Sequence, residues 1–402
     1  MTDWVHLRTE ILETFTPGPP INEVDLFAGR SAVIQRLQDA TLERARHAII
    51  FGERGVGKTS LANVFHKALN GPTRTVNEIY VTADTKDSFD SLWRKVFRRI
   101  ASATHGTLDL EFPGEIEPDH VILELEKQSP NAIPVIIIDE YDRIEDSDCR
   151  VLVTDLIKGL ANARGNPTIV LVGVAENILT LVADHESITR NLAQIPMERM
   201  SSDEIRQIIV SRISRLRMKI DSDALWRITH FSGGLPFYAH ALGKYSALRA
   251  VQAKTLNITE PTVITATDDC MADVDYSITE SYTRATENIY RKKNIFKEVL
   301  AACALAEPNA LGQFTAASVE APLTDILGSP TKVPAFAFHM NEMCGPERGN
   351  VLIKSGERRT FQYNFREAAM QPYVIMKSLK AGVIRKDTFE RFYVNRQRSF
   401  AI

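Results

Sequence analysis

The chain has 402 residues, 44% hydrophobic and 25% charged, with a formal net charge of −3. That is the balance of a globular protein with room for two or three separately cored domains. Its four cysteines, Cys149, Cys270, Cys303 and Cys344, form no C-x-x-C pair, which excludes a disulfide framework or zinc finger and suits a reducing, cytoplasmic setting. Met1–Glu10 is charged and lacks the apolar core of a signal peptide, and no run approaches the roughly 20 apolar residues that span a bilayer.

Residues 1–20 read as an N-terminal extension closed by Pro17-Gly18-Pro19-Pro20, a sequence that admits neither helix nor central strand. A helix is expected over Ser31–Arg44, with Ser31 as N-cap and Val33, Ile34 and Leu37 on one face. The apolar run His47–Phe51 then breaks into Gly52-Glu53-Arg54-Gly55-Val56-Gly57, and a helix follows over Lys58–Leu69, stopped by Asn70-Gly71-Pro72. Further strands are expected at Glu78–Ala83, Pro134–Asp139, Thr168–Gly173 and Ala193–Met197, alternating with helical patterns. The continuous apolar runs suit strands buried on both faces of a parallel sheet, and the alternation implies an α/β core over residues 21–200.

Beyond Ser201 the pattern is helical. Ser202-Asp203-Glu204, Asp221-Ser222-Asp223 and Gly233-Gly234-Leu235-Pro236 each open a helix, which makes residues 201–256 a small helical lid. Residues 257–283, rich in Thr, Asp and Ser, read as an acidic connector with some helix. Helices at Glu287–Ala306, Thr315–Leu327 and Val333–Cys344 precede two β-rich runs, Val351–Lys354 and Phe361–Phe365, around a Gly-containing turn. Three helices and a hairpin give residues 284–381 the outline of a winged-helix-like α+β domain. A basic tail, residues 382–402, closes the chain.

The chemistry is concentrated in Gly52–Thr59, which fits G-x-x-x-x-G-K-[ST] between a strand and a helix. Glycines let successive backbone N–H groups turn toward phosphate oxygens, and the helix presents its positive end to the same anion. Gly52, Glu53, Arg54, Gly55, Val56, Gly57, Lys58, Thr59 and Ser60 are the expected ATP-binding residues. Lys58 serves the β- and γ-phosphates and the Thr59 hydroxyl serves Mg²⁺. At the end of another buried strand, Asp139 is the second expected Mg²⁺ residue. Glu140 beside it is the expected base that orients or deprotonates water.

With these motifs the chain resembles an AAA+ P-loop ATPase, and more narrowly the branch shared by origin-recognition initiators and signal-transducing STAND ATPases. The resemblance implies a P-loop NTPase sheet with a helical lid and hydrolysis of ATP with Mg²⁺. It further implies a nucleotide-driven switch acting through self-assembly, a separate effector protein or DNA. Phe27-Ala28-Gly29-Arg30 resembles the family's F-x-G-R box near the adenine, so Phe27, Gly29 and Arg30 join the expected nucleotide contacts. The family's polar sensor position falls near Glu176 or Asn177. Arg190 precedes the fifth strand, where the family carries an arginine finger that enters a neighbour's site. Pro236 stands where initiators have a sensor arginine and resembles the G-x-P motif of STAND ATPases.

Residues 284–402 hold 18 Lys and Arg against 11 Asp and Glu, whereas residues 1–283 hold 30 against 40. The basic part either meets an anionic partner or packs against the acidic part of the same molecule. Lys354, Arg358 and Arg359 at the wing, together with the basic tail, suit DNA phosphates. The helix Val333–Cys344 has no Lys or Arg, and Phe336, Phe338 and Met340 give it the look of a packed, protein-binding element. Both readings stand on sequence alone. No nuclease, protease or other effector signature appears, which suits a switch whose output belongs to another polypeptide; host defence is one such setting.

Overall fold

The computed structural model describes residues 3–18, 30–65, 67, 75–103, 114–127, 132–164, 166–174, 190–274, 276–287, 294–309, 311–357 and 360–394. The chain divides into two compact units. One comprises Pro20–Glu53 with Gly57–Met197, and the other Met1–Pro19, Arg54–Val56 and Glu198–Ile402.

The chain opens with α1 (Trp4–Thr14), which is part of the second unit and is described with it. In the first unit, α2 (Ser31–Leu42) leads to β1 (His47–Gly52), α3 (Lys58–Phe65), β2 (Thr75–Thr82), α4 (Phe89–Ala103), α5 (Pro118–Glu126), β3 (Ala132–Asp139), α6 (Ser147–Gly159), β4 (Thr168–Val174) and β5 (Leu192–Met197). The strands form one parallel sheet in the order β2-β3-β4-β1-β5. Parallel strands need crossover connections, so the helices between them cover the sheet faces. Consistent with that, every residue of β1 is buried, and Val135–Ile138 of β3 are fully so. Order β1 beside β4 brings the C-terminal ends of β1 and β3 to one rim, and the site lies there.

Ser31 is the first helical residue of α2 rather than its cap. Arg30 takes the cap position in the left-handed conformation (φ 62°), and its carbonyl accepts from the Ile34 amide at 2.9 Å. The helix stops at Leu42, two residues short of expectation.

His47 starts β1 with no exposed surface, and its Nδ1 accepts the Ile169 amide at 3.0 Å. An acceptor nitrogen in a dry site cannot take a proton cheaply, and burial lowers this pKa from 6.5 to about 4. As pH falls the unfolded chain takes up the proton first. The stabilising contribution is therefore complete above about 6.5 and is lost between there and about 4. We expect this residue alone to cost about 3 kcal/mol on acidification. Melting curves from pH 7 to pH 4 should fall less steeply for His47→Asn, which keeps an acceptor but cannot ionise; parallel slopes would refute the assignment.

In the second unit, α7 (Ser202–Arg215) begins with a capping box. The Ser201 hydroxyl accepts the Glu204 amide at 3.2 Å, and Glu204 accepts the Ser201 amide at 2.8 Å. α8 (Ser222–Phe231) and α9 (Pro236–Gln252) follow, with β6 (Lys219–Ile220) and β7 (Asn257–Ile258) paired in parallel. Gly233 and Gly234, at φ 58° and 74°, turn the chain into α9; a Cβ on Gly234 would lie 2.7 Å from the Met200 carbonyl oxygen. Helix α1 packs on α9, and the Thr16 amide donates to His240 Nδ1 at 3.1 Å. Leu7, Ile11 and Phe15, within the segment expected as an extension, are thus buried in this unit's core.

Residues 257–283, expected as an acidic connector with some helix, are mostly helical and packed. They fold as α10 (Glu260–Asp273) and the larger part of α11 (Tyr276–Thr286). Val263, Ala266, Thr267, Cys270 and Met271 are buried as one stripe of α10 against α9. Next come α12 (Phe296–Leu305), β8 (Phe314–Thr315), α13 (Ala316–Leu327), α14 (Val333–Glu342), β9 (Leu352–Ser355) and β10 (Gln362–Phe365). The sheet order β8-β10-β9, antiparallel throughout, completes a winged-helix-like α+β arrangement.

After α15 (Met370–Lys380), the start of the expected tail is also folded. α16 (Lys386–Phe389) and a π-type turn, Glu390–Val394, bury Phe389, Tyr393 and Val394. Phe389 meets Trp226 and Phe231 edge-on, and Asp325 accepts from both Thr388 and Arg391 at 2.6 Å.

Candidate nucleotide-binding site

The glycine loop begins where β1 ends. Gly52 pairs with Met197 across the sheet, and a Cβ there would lie 2.2 Å from the Met197 carbonyl oxygen, so only glycine keeps the two strands in register. Gly55 and Gly57 take φ of 80° and 97°, values open to glycine at little steric cost. Arg54 and Gly55 are exposed, Val56 is buried, and Glu53, Gly57, Lys58, Thr59 and Ser60 are half-buried. Lys58 Nζ donates to the carbonyl oxygens of Gly52 at 3.0 Å and Glu53 at 2.9 Å. This holds the ammonium across the loop at the start of α3.

Asp139, at the end of β3, is 5% exposed and carries several hydrogen bonds. Thr59 Oγ1 donates to its Oδ2 at 2.8 Å, and the Tyr80 hydroxyl donates to the same oxygen. Oδ1 accepts the Glu140 amide at 2.8 Å. Burial, and then Asp139 itself, pushes the Tyr80 phenol well above its ordinary pKa, so it stays a donor. Glu140 adopts the left-handed conformation (φ 55°, ψ 32°), which turns the chain out of the strand into Tyr141–Arg143. Its carboxylate is half exposed and pairs with Arg143 at 2.6 Å. The Val174 amide donates to Asp142 Oδ1 at 3.0 Å, tying the end of β4 to the same turn.

The structure thus gathers Lys58, Thr59, Asp139 and Glu140 at one rim of the sheet. Arg190 is elsewhere: it is exposed, in the turn that enters β5 at the opposite end of the strands. Arg30 is buried at the N-cap of α2, while Phe27, Gly29, Glu176 and Asn177 lie outside the described residues. Pro236 belongs to the second unit, as the first residue of α9. Tyr80 was not anticipated from sequence. Its contact depends on strand register, which pairs Tyr80 with Ile137 and so sets Asp139 diagonally ahead of it on the same face.

A hydroxyl and a carboxylate 2.8 Å apart beside the glycine loop are hard oxygen donors of the kind Mg²⁺ takes together with nucleotide phosphates. Among the described residues no cluster of three or more His, Cys, Asp or Glu forms a separate metal centre.

The model of the Novel STAND NTPase 1 family matches residues 12–300. No curated protein matches this chain. Among solved structures, a Walker-type ATPase of Pyrococcus abyssi is similar at 13% identity and a TM-score of 0.53, over 90% of this chain and 99% of that one. The ORC2 protein of Aeropyrum pernix, solved as ADPNP–ADP complexes, is similar at 15% identity and a TM-score of 0.50, over 92% and 98%. At such identities the likeness is one of fold, a five-stranded parallel P-loop architecture. Matched over most of its length, this chain belongs to the Novel STAND NTPase 1 family.

Proposed function

We propose that the protein binds ATP with Mg²⁺, hydrolyses it, and uses its nucleotide state to govern assembly with further copies or with an effector protein. The observation that carries this is the junction of Thr59 and Asp139 at 2.8 Å beside Lys58, with Glu140 next in the chain. Lys58 would exchange the carbonyls of Gly52 and Glu53 for the β- and γ-phosphates. Thr59 and Asp139 would hold Mg²⁺, which when bound supplies charge neutralisation to the phosphates. Glu140 would orient a water once its carboxylate leaves Arg143.

DNA is the less favoured output. Lys354 is committed within the chain: Nζ donates to Asn341 Oδ1 at 2.9 Å and stands 3.8 Å from the centre of the Phe361 ring. Helix α14 carries no Lys or Arg, buries Phe336 and Met340, and leaves Phe338 exposed. Such a face suits a protein partner better than a phosphate backbone. Arg358 and Arg359 lie outside the described residues.

The test is Glu140→Gln. It should keep ATP affinity while slowing turnover at least about tenfold, or roughly 1.4 kcal/mol of barrier. Holding ATP, it should also accumulate the assembled form in light scattering. Turnover equal to wild type would remove Glu140 as the base. A mass unchanged between ATP, ADP and no nucleotide would remove the switch.

A further inference from the structure

Asp139 Oδ2 receives two hydroxyl hydrogens, one from Thr59 and one from Tyr80. A carboxylate oxygen has two lone-pair sites, so this oxygen is fully engaged. The two donors differ in what nucleotide binding asks of them. Thr59 is the residue expected to turn its oxygen toward Mg²⁺, which withdraws it as the holder of Asp139. Tyr80 is anchored by strand pairing on β2, through register with Ile137, and has no such second task.

From this we infer that Tyr80 is a positioning residue for the metal–nucleotide complex. Its hydroxyl, with the Glu140 amide at 2.8 Å on Oδ1, fixes the Asp139 carboxylate when Thr59 is drawn away. Two donors on different oxygens define both the rotation and the tilt of the group. Mg²⁺ demands near-ideal octahedral geometry and tolerates a misaimed ligand poorly, so the orientation of Asp139 bears on affinity. Partners that orient a metal-binding side chain typically contribute tenfold or more to metal affinity or activity. Tyr80 also completes a division of labour along the rim. The phosphate loop comes from β1, the carboxylate from β3, and its orienting donor from the edge strand β2.

The inference rests on the nucleotide site proposed above, and the experiment separates the two. The affinity of the full chain for a fluorescent ATP analogue is measured in EDTA and at graded Mg²⁺, for wild type, Tyr80→Phe and Asp139→Asn. Tyr80→Phe removes a single oxygen, so its melting temperature and its affinity in EDTA should match wild type. Its Mg²⁺ midpoint should rise about tenfold, in the direction of a still larger loss in Asp139→Asn. A Tyr80→Phe curve superimposable on wild type, with the Mg²⁺ response itself intact, would overturn the role of Tyr80 and leave the site standing. A lowered melting temperature with an unmoved midpoint would make Tyr80 a structural residue. Absence of any Mg²⁺ enhancement in wild type would overturn the site, and this inference with it.

Discussion

Lys58→Ala should leave a folded protein with no measurable affinity for ATP. The ammonium is half-buried and bridges the Gly52 and Glu53 carbonyls, so it both braces the loop and supplies a full positive charge at the point where α3 begins. Backbone N–H groups and a helix end contribute partial charges, which are weak against a triphosphate without a counterion in place. Removing one partner of a largely desolvated charge pair costs about 3–5 kcal/mol, a loss of at least roughly a hundredfold in affinity. Calorimetric titration, with the melting temperature as control, provides the measurement. Wild-type affinity in a normally folded Lys58→Ala protein would refute the phosphate-site assignment.

The site was legible in the sequence where its chemistry is local. The glycine loop needs conformations that only glycine reaches cheaply, and the lysine and threonine that use it are contiguous with it. Loop geometry and the candidate phosphate contacts are therefore written in one short stretch. Buried parallel strands are legible for a similar reason, since both faces are apolar and the run is unbroken. Their ends moved by no more than three residues: Glu78–Ala83 became Thr75–Thr82, and Pro134–Asp139 became Ala132–Asp139. Tyr80 could not be found this way, because a diagonal cross-strand contact exists only once the register is known.

Two misreadings came from weighing composition above periodicity. The Thr- and Asp-rich segment around residues 260–273 looks like linker, yet its apolar positions recur at three and four residues, which is a helical face. The basic count of the C-terminal segment hid the aromatic residues that anchor it, Phe389 and Tyr393. Part of the charge asymmetry resolves inside the second unit. Lys380 meets Asp268 at 2.6 Å, although both side chains are largely exposed and the pair is weak for that reason. The wing lysine shows the limit of counting charges: Lys354 is basic and exposed, but its hydrogen bond and ring contacts decide where its ammonium points.

Arg190→Ala should bind ATP as wild type does and hydrolyse it on the order of a thousandfold more slowly, the scale of a lost arginine finger. Geometry makes this a statement about assemblies. Parallel pairing sets His47 beside Leu192 and Gly52 beside Met197, so Arg190 precedes the strand end opposite the phosphate loop. At the rise of a parallel strand this separates it from its own chain's loop by on the order of 20 Å, beyond the reach of an arginine side chain. Whatever phosphate Arg190 touches must belong to another molecule. It is suited to that, being exposed in a turn at the edge strand of the sheet. A finger supplied from outside predicts complementation. Glu140→Gln retains the arginine and Arg190→Ala retains the base, so one mixed interface contains both intact halves and turnover should partly return. Subunit exchange must first be demonstrated with labelled chains. Specific activity in wild type should then rise with concentration until the assembly saturates. Exchange without rescue, and a rate strictly linear in protein concentration, would reduce Arg190 to a surface arginine. The ATPase would then work within a single chain.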